Sequence, residues 1–428
     1  MGCCQSTYAD SDTEAEEEAN ENHVTQAPAA GRRHSKDRLP STGLSPNENR
    51  IRLFLIGNGE VGKSTLLKQM QHLCLTMKDY QMYDECWRST RQPFDRQERM
   101  AYRAKTHQNI YRIVGAILRP AQHLPEEGPS SRFSSPENEQ IAKRLLRVSS
   151  QGASSSQQTR VTPADAEEIL QLWTTDEAVR EVWRRRRDFN LSDSTEYFLR
   201  EENLRRIASP EYVPTVEDIL RLRDPTTGVQ DYNFRLYGKA FSIHDTGGQS
   251  VERSRLVTYL TAWLNKAQDK DKNFILYVAA LSDYNAPHPI YQGRTLLDES
   301  VDFFKVLLDM SMLRYCGFIL FMNKADIFER KLRDYDDFPQ YFSDYLTKGK
   351  KSSFASPSAP FDKKLKEAME AVAARFGEAL AESIRPDSTM FAHFTTAIDP
   401  RMMEKIFRNV KQQIIDEMIQ SGEWSPIG

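Results

Sequence analysis

The chain has 428 residues, and its 58 Lys and Arg against 61 Asp and Glu give a formal net charge of -3 at pH 7. This balance creates no field that would recruit nucleic acid, so we expect no nucleic-acid partner. The length predicts more than one domain. The 5 cysteines lack metal-ligand spacing and favour a reducing, intracellular compartment. No apolar stretch reaches the roughly 20 residues that span a bilayer.

The N-terminal residues MGCCQS fit the pattern for N-myristoylation, with Gly2 exposed after removal of the initiator methionine. Cys3 and Cys4 can take palmitate, and a second lipid makes membrane attachment stable. A chance Met-Gly start is the alternative. The residues that follow contain few large apolar side chains, which predicts a flexible, lipidated tether over 1–48.

Near-continuous apolar runs farther along predict strands that are buried on both faces of a largely parallel sheet. In chain order these runs are IRLFLIG, KAFSIHD, NFILYVAAL, GFILFMNK and MFAHFTT. Helical patterns lie between most of them, so the runs predict an α/β domain. Between Met77 and Val216 the strand signal vanishes and segments such as AEEILQLW carry helical spacing. This interval predicts an all-helical insert.

The predicted domains are therefore the tether, an α/β domain formed by 49–76 and 217–428, and an inserted helical domain over 77–216. A serine-rich stretch near 125–163 is interpreted as a surface insertion without regular structure. The run of four arginines at 184–187 is interpreted as a solvated helix face.

Residues 57–64, GNGEVGKS, match G-x-x-x-x-G-K-[ST], with a predicted strand before them and the helical pattern STLLKQMQ after. The glycines let backbone N–H groups face phosphate oxygens, and the helix N-terminus adds positive potential. Lys63 is expected to reach the β and γ phosphates, and Ser64 to bind Mg²⁺. An ordinary glycine turn is the alternative, but the flanking elements favour phosphate binding.

NKAD at 323–326 follows the run GFILFM and indicates which base is bound. A carboxylate at Asp326 can accept hydrogen bonds from guanine N1–H and the exocyclic amine. Adenine offers no such pair, and an unpaired buried acceptor costs about 1–3 kcal/mol. Ala397, in FTTAID, could donate its backbone N–H to guanine O6. A common polar turn is the alternative to a guanine site.

DTGGQ at 245–249 closes the run KAFSIHD. Asp245 can hold Mg²⁺ through water, Gly248 can donate its backbone N–H to the γ-phosphate, and Gln249 can orient the attacking water. A simple strand-to-helix turn is the alternative. Together with the preceding motifs, this one predicts a sensor of the γ-phosphate.

GNGEVGKST, RLRDPTTG, DTGGQ, NKAD and TTAID, in that order and with a large helical insert after the first, resemble a heterotrimeric G-protein alpha subunit over roughly residues 50–420. The resemblance implies a Ras-like P-loop GTPase domain with a mostly parallel sheet and an inserted all-α domain. It also implies GTP and GDP as ligands, GTP hydrolysis with Mg²⁺, and a place at the cytoplasmic face of the plasma membrane. The partners it implies are a beta-gamma dimer, a seven-helix receptor and an effector.

The resemblance further assigns roles to single residues. It places a cis-acting catalytic arginine at Arg223, a Mg²⁺-binding threonine at Thr226 and a water-orienting glutamine at Gln249. Glu60 can hold the Arg223 guanidinium. The implied nucleotide-binding residues are Gly57, Asn58, Gly59, Glu60, Val61, Gly62, Lys63, Ser64, Thr65, Asp193, Ser194, Leu220, Arg221, Arg223, Thr226, Asp245, Gly248, Gln249, Asn323, Lys324, Asp326 and Ala397, and the implied metal ligands are Ser64, Thr226 and Asp245.

Four positions depart from the pattern of that family. Val61 stands where the family usually has serine, and Ser250 and Leu256 replace an arginine and a tryptophan in the segment that docks on beta-gamma. Asp224 puts a carboxylate beside Arg223, which slows hydrolysis if it approaches the phosphates. Two other functions therefore stay open: a guanine nucleotide-dependent binding module with little hydrolysis, and an ATP-dependent enzyme, which NKAD disfavours.

Overall fold

The computed structural model describes residues 50–84, 87, 88, 90, 93–124, 133–151, 160–224, 228–236, 238–247, 254–346, 352–356, 358–385 and 390–420. Outside these residues lie the predicted tether and the candidates Gly2, Cys3, Cys4, Thr226, Gly248 and Gln249. Among the helices of the described residues, none is both long enough and apolar enough to cross a bilayer.

One seven-stranded sheet organises the described part of the chain. Its strands are β1 (Arg50–Ile56), β2 (Tyr80–Tyr83), β3 (Val229–Leu236), β4 (Lys239–Thr246), β5 (Lys272–Ala280), β6 (Gly317–Asn323) and β7 (Met390–Phe394). Their order across the sheet is β2-β3-β4-β1-β5-β6-β7. The pairs from β4 to β7 are parallel, while β2 with β3 and β3 with β4 are antiparallel. The prediction of a mostly parallel sheet is confirmed.

The apolar runs predict the parallel strands: β1, β5 and β6 bury nearly every side chain because they are covered on both faces, whereas the edge strand β7 is only partly buried, contrary to the expectation for its run. The antiparallel strands escaped prediction. β3 starts with three exposed residues, and β2 is only 4 residues long with an exposed second residue. The interpretation of Met77–Val216 as free of strands is therefore wrong at Tyr80–Tyr83, which pairs with β3 at the edge of the sheet.

The helices of the described residues are α1 (Lys63–Thr76), α2 (Arg96–Ala101), α3 (Arg103–Gln122), α4 (Pro136–Gln151), α5 (Pro163–Thr175), α6 (Glu177–Arg184), α7 (Thr195–Leu199), α8 (Glu201–Ala208), α9 (Val216–Arg221), α10 (Leu256–Asn265), α11 (Leu296–Leu308), α12 (Ala325–Asp334), α13 (Phe338–Leu346), α14 (Phe361–Ala381) and α15 (Pro400–Gln420). Threonine caps begin α5, α9 and α11. In each, the threonine and an aspartate three residues later satisfy one another's backbone N–H groups, which fixes the start of the helix.

The sheet separates two apolar cores. Leu53 and Leu55 of β1 pack with residues of α1 and α15, whereas the alternate residues Phe54 and Ile56 pack with α11 and α14. This alternation follows from the period of two along a strand. Helices α3 to α8 bury a third cluster among themselves, from Ile110 to Tyr212. The inserted helical part therefore has a core of its own, in agreement with the predicted fold class.

Helix α4 lies within 125–163, and the interpretation of that stretch as lacking regular structure is wrong for Pro136–Gln151. Pro136 occupies the first helical position, where its missing N–H costs nothing. Ala142 and Leu145 are buried in the helical core. The serine-rich, charged surroundings hid the helix because only a narrow stripe of it is apolar.

Candidate functional site

The loop between β1 and α1 requires glycine at two positions. Gly57 has a φ of +151°, and a Cβ there would lie 2.1 Å from the carbonyl oxygen of Val278 on β5. Gly62 has a φ of +100°, and its Cβ would lie 2.3 Å from Nδ2 of Asn323 at the end of β6. Residues with a side chain rarely adopt either conformation. The loop therefore backs directly onto β5 and β6 at the carboxyl edge of the sheet.

Two cationic side chains meet this loop. Lys63, the first residue of α1, donates from Nζ to the carbonyl oxygens of Gly57 at 2.8 Å and Asn58 at 2.9 Å. Glu60 has a positive φ of 63° and forms an ion pair with Arg223, the pairing that the sequence leads us to expect. An ammonium and a guanidinium beside a glycine loop at a helix N-terminus are suited to a phosphate chain.

The side chain of Asn323 joins the loop to the NKAD segment. Its Nδ2 donates to the carbonyl oxygen of Val61 at 2.8 Å. Its Oδ1 accepts from the Thr395 hydroxyl at 3.0 Å and from the Ala397 N–H at 3.0 Å. If the Ala397 N–H contacts a base, its hydrogen must therefore be shared between the base and Asn323 Oδ1. Val61 is fully buried, so its apolar side chain belongs to the core.

The other NKAD residues lie at the start of α12. Lys324 has a φ of 60°, and its Nζ lies 2.6 Å from a carboxylate oxygen of Asp193 in the helical part. Burial alone would lower the pKa of Lys324, but Asp193 and Asp283 outweigh it and raise that pKa above its usual range. Asp326 is exposed in the first turn of α12. Its carboxylate is thus accessible to a ligand that rests on this edge.

Ser64 and Asp245 provide the donors predicted for a metal ion. Ser64 lies in the first turn of α1 directly after the glycine loop, and Asp245, 1% exposed, lies near the end of β4. Both lie at the carboxyl edge of the sheet, because α1 follows β1 there and Leu55 of β1 is in register with Asp245 of the neighbouring parallel strand. A hydroxyl and a carboxylate suit Mg²⁺, which fills its remaining positions with water and phosphate oxygens.

Helix α1 also anchors the segment that carries Arg223. The Thr65 hydroxyl donates to the carbonyl oxygen of Leu220 at 3.1 Å, and Lys68 Nζ donates to that of Ile219 at 3.2 Å. Burial lowers the pKa of Lys68 to about 8. Thr65 and Leu220, both predicted as site residues, are thus brought together, and Lys68 is a contributor that sequence reasoning missed.

Two other candidates, Arg221 and Ser194, contact residues near them in the structure. Arg221 Nη2 lies 3.1 Å from Glu217 on its own helix, and the Arg221 guanidinium lies 4.6 Å from the ring centroid of Tyr197. The Ser194 hydroxyl is 3.0 Å from that of Ser192. The structure thus gives these residues local partners and leaves their predicted contact with a nucleotide untested.

Asp224, the carboxylate expected to slow hydrolysis if it approaches the phosphates, contacts a lysine. Lys105 Nζ on α3 lies 3.0 Å and 2.8 Å from its two carboxylate oxygens. Lys105 was missed because no local motif marks it, and its partner lies 119 positions along the chain. The helical part therefore supplies a cation to the residue that follows Arg223.

Known proteins resemble this chain over most of its length. A family model described as "G-protein alpha subunit" matches residues 32–414. The "Guanine nucleotide-binding protein alpha-1 subunit" of Pisum sativum is 28% identical over 380 residues, which cover 86% of this chain and 88% of the relative. The "Guanine nucleotide-binding protein subunit alpha-15" of Rattus norvegicus is 27% identical over 374 residues, covering 85% and 86%.

Proposed function

Because the chain belongs to the G-protein alpha subunit family, we propose that it is a GTPase switch that binds GTP and GDP with Mg²⁺ and hydrolyses GTP. The fold is that of the family, with a Ras-like domain and an inserted helical domain. The observation that carries the proposal is Asn323, which bonds the phosphate-loop carbonyl of Val61 and also the Ala397 segment. One side chain thus holds the phosphate-binding and base-reading elements in a fixed relation.

In this function each end of the nucleotide has its own residues. The N–H groups of 57–64 and the Lys63 ammonium bind the phosphates, and Asp326 accepts two hydrogen bonds from guanine. Ser64, Thr226 and, through water, Asp245 would hold Mg²⁺, which would offset phosphate charge. In the structure, Lys63 donates hydrogen bonds to two carbonyl oxygens of its own loop. Nucleotide binding would exchange these oxygens for phosphate oxygens.

Hydrolysis depends on two further side chains. Gln249 orients the attacking water, and Arg223 stabilises the charge that builds on the transferred phosphoryl group. Arg223 must leave Glu60 to do so, and the weakness of an exposed ion pair allows that exchange at small cost. We expect slow intrinsic turnover, on the order of 10⁻² per second, which is the rate typical of alpha subunits that carry this arginine in cis.

We extend this function to the whole chain and its partners. The GTPase domain comprises 49–76 and 217–428 together with the edge strand Tyr80–Tyr83, and the helical domain comprises the rest of 77–216. Myristate on Gly2 and palmitate on Cys3 and Cys4 would tether the protein to the cytoplasmic face of the plasma membrane. A beta-gamma dimer and a seven-helix receptor are the partners proposed from the family, and the GTP-bound form would engage an effector.

The proposal is tested by titrating purified protein with GDP and ADP in a calorimeter with Mg²⁺, followed by single-turnover GTP hydrolysis. We expect GDP to bind roughly 5- to 150-fold more tightly than ADP, because ADP leaves Asp326 unmatched, at a cost of about 1–3 kcal/mol. Equal binding of the two would contradict a guanine site. Binding of GTP without release of phosphate would identify a nucleotide-dependent binding module instead.

A further inference from the structure

The segment Ile219–Asp224, which carries Arg223, is held at three points. Thr65 and Lys68 of α1 bind the carbonyl oxygens at its beginning, at 3.1 Å and 3.2 Å. Lys105 of α3 binds the Asp224 carboxylate at its end. Two anchors therefore come from the helix behind the phosphate loop, and the third comes from the helical part.

Lys105 is placed to hold Asp224 through both carboxylate oxygens, at 3.0 Å and 2.8 Å. Its Nζ also lies 5.6 Å from the ring centroid of Tyr102. The Lys105 side chain is 51% exposed and that of Asp224 is 26% exposed. A half-exposed pair contributes little to folding stability. The main effect of this pair is therefore to fix the position of the Asp224 carboxylate.

Without Lys105, the Asp224 carboxylate next to Arg223 would lose its ion pair, leaving the electrostatic attraction of Lys68, whose ammonium bonds the Ile219 carbonyl oxygen. Asp224 could then compete with Glu60 and with phosphate oxygens for the Arg223 guanidinium. It could also face the phosphates, where two like charges repel. Both outcomes would slow GTP hydrolysis, because Arg223 acts by stabilising negative charge on the transferred phosphoryl group.

We propose that Lys105 is a positioning residue for GTP hydrolysis, which holds Asp224 away from the phosphates and leaves Arg223 free to act. This role rests on the GTPase function proposed above. Through Lys105 on α3, the helical part then contributes to the chemical step. Its other contact with the site is the pair of Asp193 with Lys324. A carboxylate beside Arg223 is then compatible with hydrolysis, because a cation holds it.

The test compares single-turnover GTP hydrolysis by the full chain and by Lys105→Met, Lys105→Arg and the double variant Lys105→Met/Asp224→Asn. We expect Lys105→Met to slow hydrolysis by about three- to tenfold, the effect of a charge interaction of up to one pKa unit. GDP affinity and melting temperature should stay unchanged. Lys105→Arg keeps the charge and should retain the rate. The double variant should recover it, because an amide at position 224 carries no charge to be held.

Lys143→Met is the matched control, since Lys143 pairs with Glu139 on its own helix at 2.6 Å. It should hydrolyse GTP at the rate of the unaltered protein. A Lys105→Met protein as fast as the unaltered one would overturn the proposal alone. So would a slow Lys105→Met protein that Asp224→Asn fails to rescue, because the role is assigned through Asp224. An unaltered protein that binds GTP and releases no phosphate would overturn the GTPase function together with this role.

Discussion

Asp326 lies exposed at the start of α12, close to Asn323 and Lys324, whose side chains are committed to the phosphate loop and to Asp193. Its neighbours therefore fix the backbone while its carboxylate is available. In the proposed function this single side chain determines the choice of base. Asp326 would select guanine because both of its carboxylate oxygens accept hydrogen bonds. A single substitution can replace one of these acceptors with a donor.

Asp326→Asn should weaken GDP binding by roughly ten- to a hundredfold, because the amide keeps one acceptor oxygen but turns its NH₂ toward the amine of guanine, which is left unmatched. Xanthine has a carbonyl oxygen where guanine has its amine, so the same amide gains an acceptor. Xanthosine diphosphate should therefore bind the variant more tightly than GDP does. Calorimetric titration with the two nucleotides measures this reversal.

Glu329→Gln on the same helix serves as the control, since Glu329 pairs with Arg333 at 2.8 Å. It removes one acidic charge from α12 without changing the predicted base contact, and it should keep the preference for GDP. If Asp326→Asn bound GDP as tightly as the unaltered protein, Asp326 would have no part in reading the base.

The placement of site residues could be predicted from the sequence where the spacing of a motif is short. The glycine loop, Lys63 and Ser64 lie within eight positions, so the geometry of one turn determines where they are. The bond from Asn323 to the Val61 carbonyl spans 262 positions, and the pair of Lys105 with Asp224 spans 119. Such contacts are set by how the sheet and the helical part pack, and a single sequence carries no local signal for them.

Elements were predictable where burial made their pattern uniform. β5 and β6 are apolar along nearly their whole length because helices cover both faces. β2 and β3 form the antiparallel end of the sheet and mix exposed with buried positions. Helix α4 was hidden for a similar reason, since only part of its surface reaches the helical core.

Helix α3 contains a buried histidine, His107, which makes the stability of the fold depend on pH. His107 is 3% exposed, and its Nδ1 accepts the backbone N–H of Val161 at 3.3 Å. Its Nε2 is buried without a hydrogen-bond partner among the described residues. Burial, with the nearby Arg103 and Arg160, lowers the pKa of His107 to about 4. Protonation at this position would place an unpaired charge in the core.

Acid should therefore destabilise the protein partly through His107. The folded pKa of about 4 lies below the ordinary value of 6.5, so the stabilising contribution is complete above pH 6.5 and is lost as pH falls toward 4. Between pH 7.5 and 5.0 we expect a loss of about 2 kcal/mol from this group. Urea unfolding followed by circular dichroism should show a smaller loss in His107→Asn, which keeps an acceptor but cannot titrate.

His123→Asn is the control for this measurement, because His123 is exposed just after the same helix. It should retain the acid sensitivity of the unaltered protein. Equal sensitivity of His107→Asn and the unaltered protein would show that other groups account for the acid response.

At the scale of the whole molecule, the helical part and the sheet-bearing part are joined by the arginine run 184–187. Arg186 lies 2.6 Å from Asp334 and Arg187 lies 2.8 Å from Asp337, across 148 and 150 positions of chain. Arg184 and Arg185 instead bond carboxylates of their own segment. The interpretation of the run as a solvated face is therefore wrong for its second half.

The two crossing arginines lie close to one aromatic ring, and Arg187 ends on a buried carboxylate. Their guanidinium carbons are 5.6 Å and 5.3 Å from the ring centroid of Tyr335. Asp337 also accepts from the Tyr284 hydroxyl at 2.8 Å and the Asn285 amide at 2.9 Å. Since Asp334 is the last residue of the helix that carries Asp326 in its first turn, these contacts tie the helical part to the far end of that helix.

Release of a nucleotide held between the two parts would require these contacts to open. The half-exposed pair of Arg186 with Asp334 contributes up to about 1 kcal/mol, the cation–π contacts add about 0.5–1 kcal/mol, and loss of Arg187 leaves the buried Asp337 carboxylate without this cation. The double variant Arg186→Ala/Arg187→Ala should therefore release GDP about tenfold faster, measured with a fluorescent GDP analogue chased by excess GDP. The single-turnover rate of GTP hydrolysis should change little. The ion pairs of the two arginines end at Asp188, Asp334 and Asp337, outside the segment Ile219–Asp224 that carries Arg223.

The matched control for this release experiment is Arg184→Ala/Arg185→Ala, which removes the same charge from the same run. Its ion pairs lie within the helical part, so it should leave release unchanged. If both double variants released GDP at the same rate, the loss of net charge alone would explain the faster release. The contacts of Arg186 and Arg187 with Asp334, Tyr335 and Asp337 would then have no part in retaining the nucleotide.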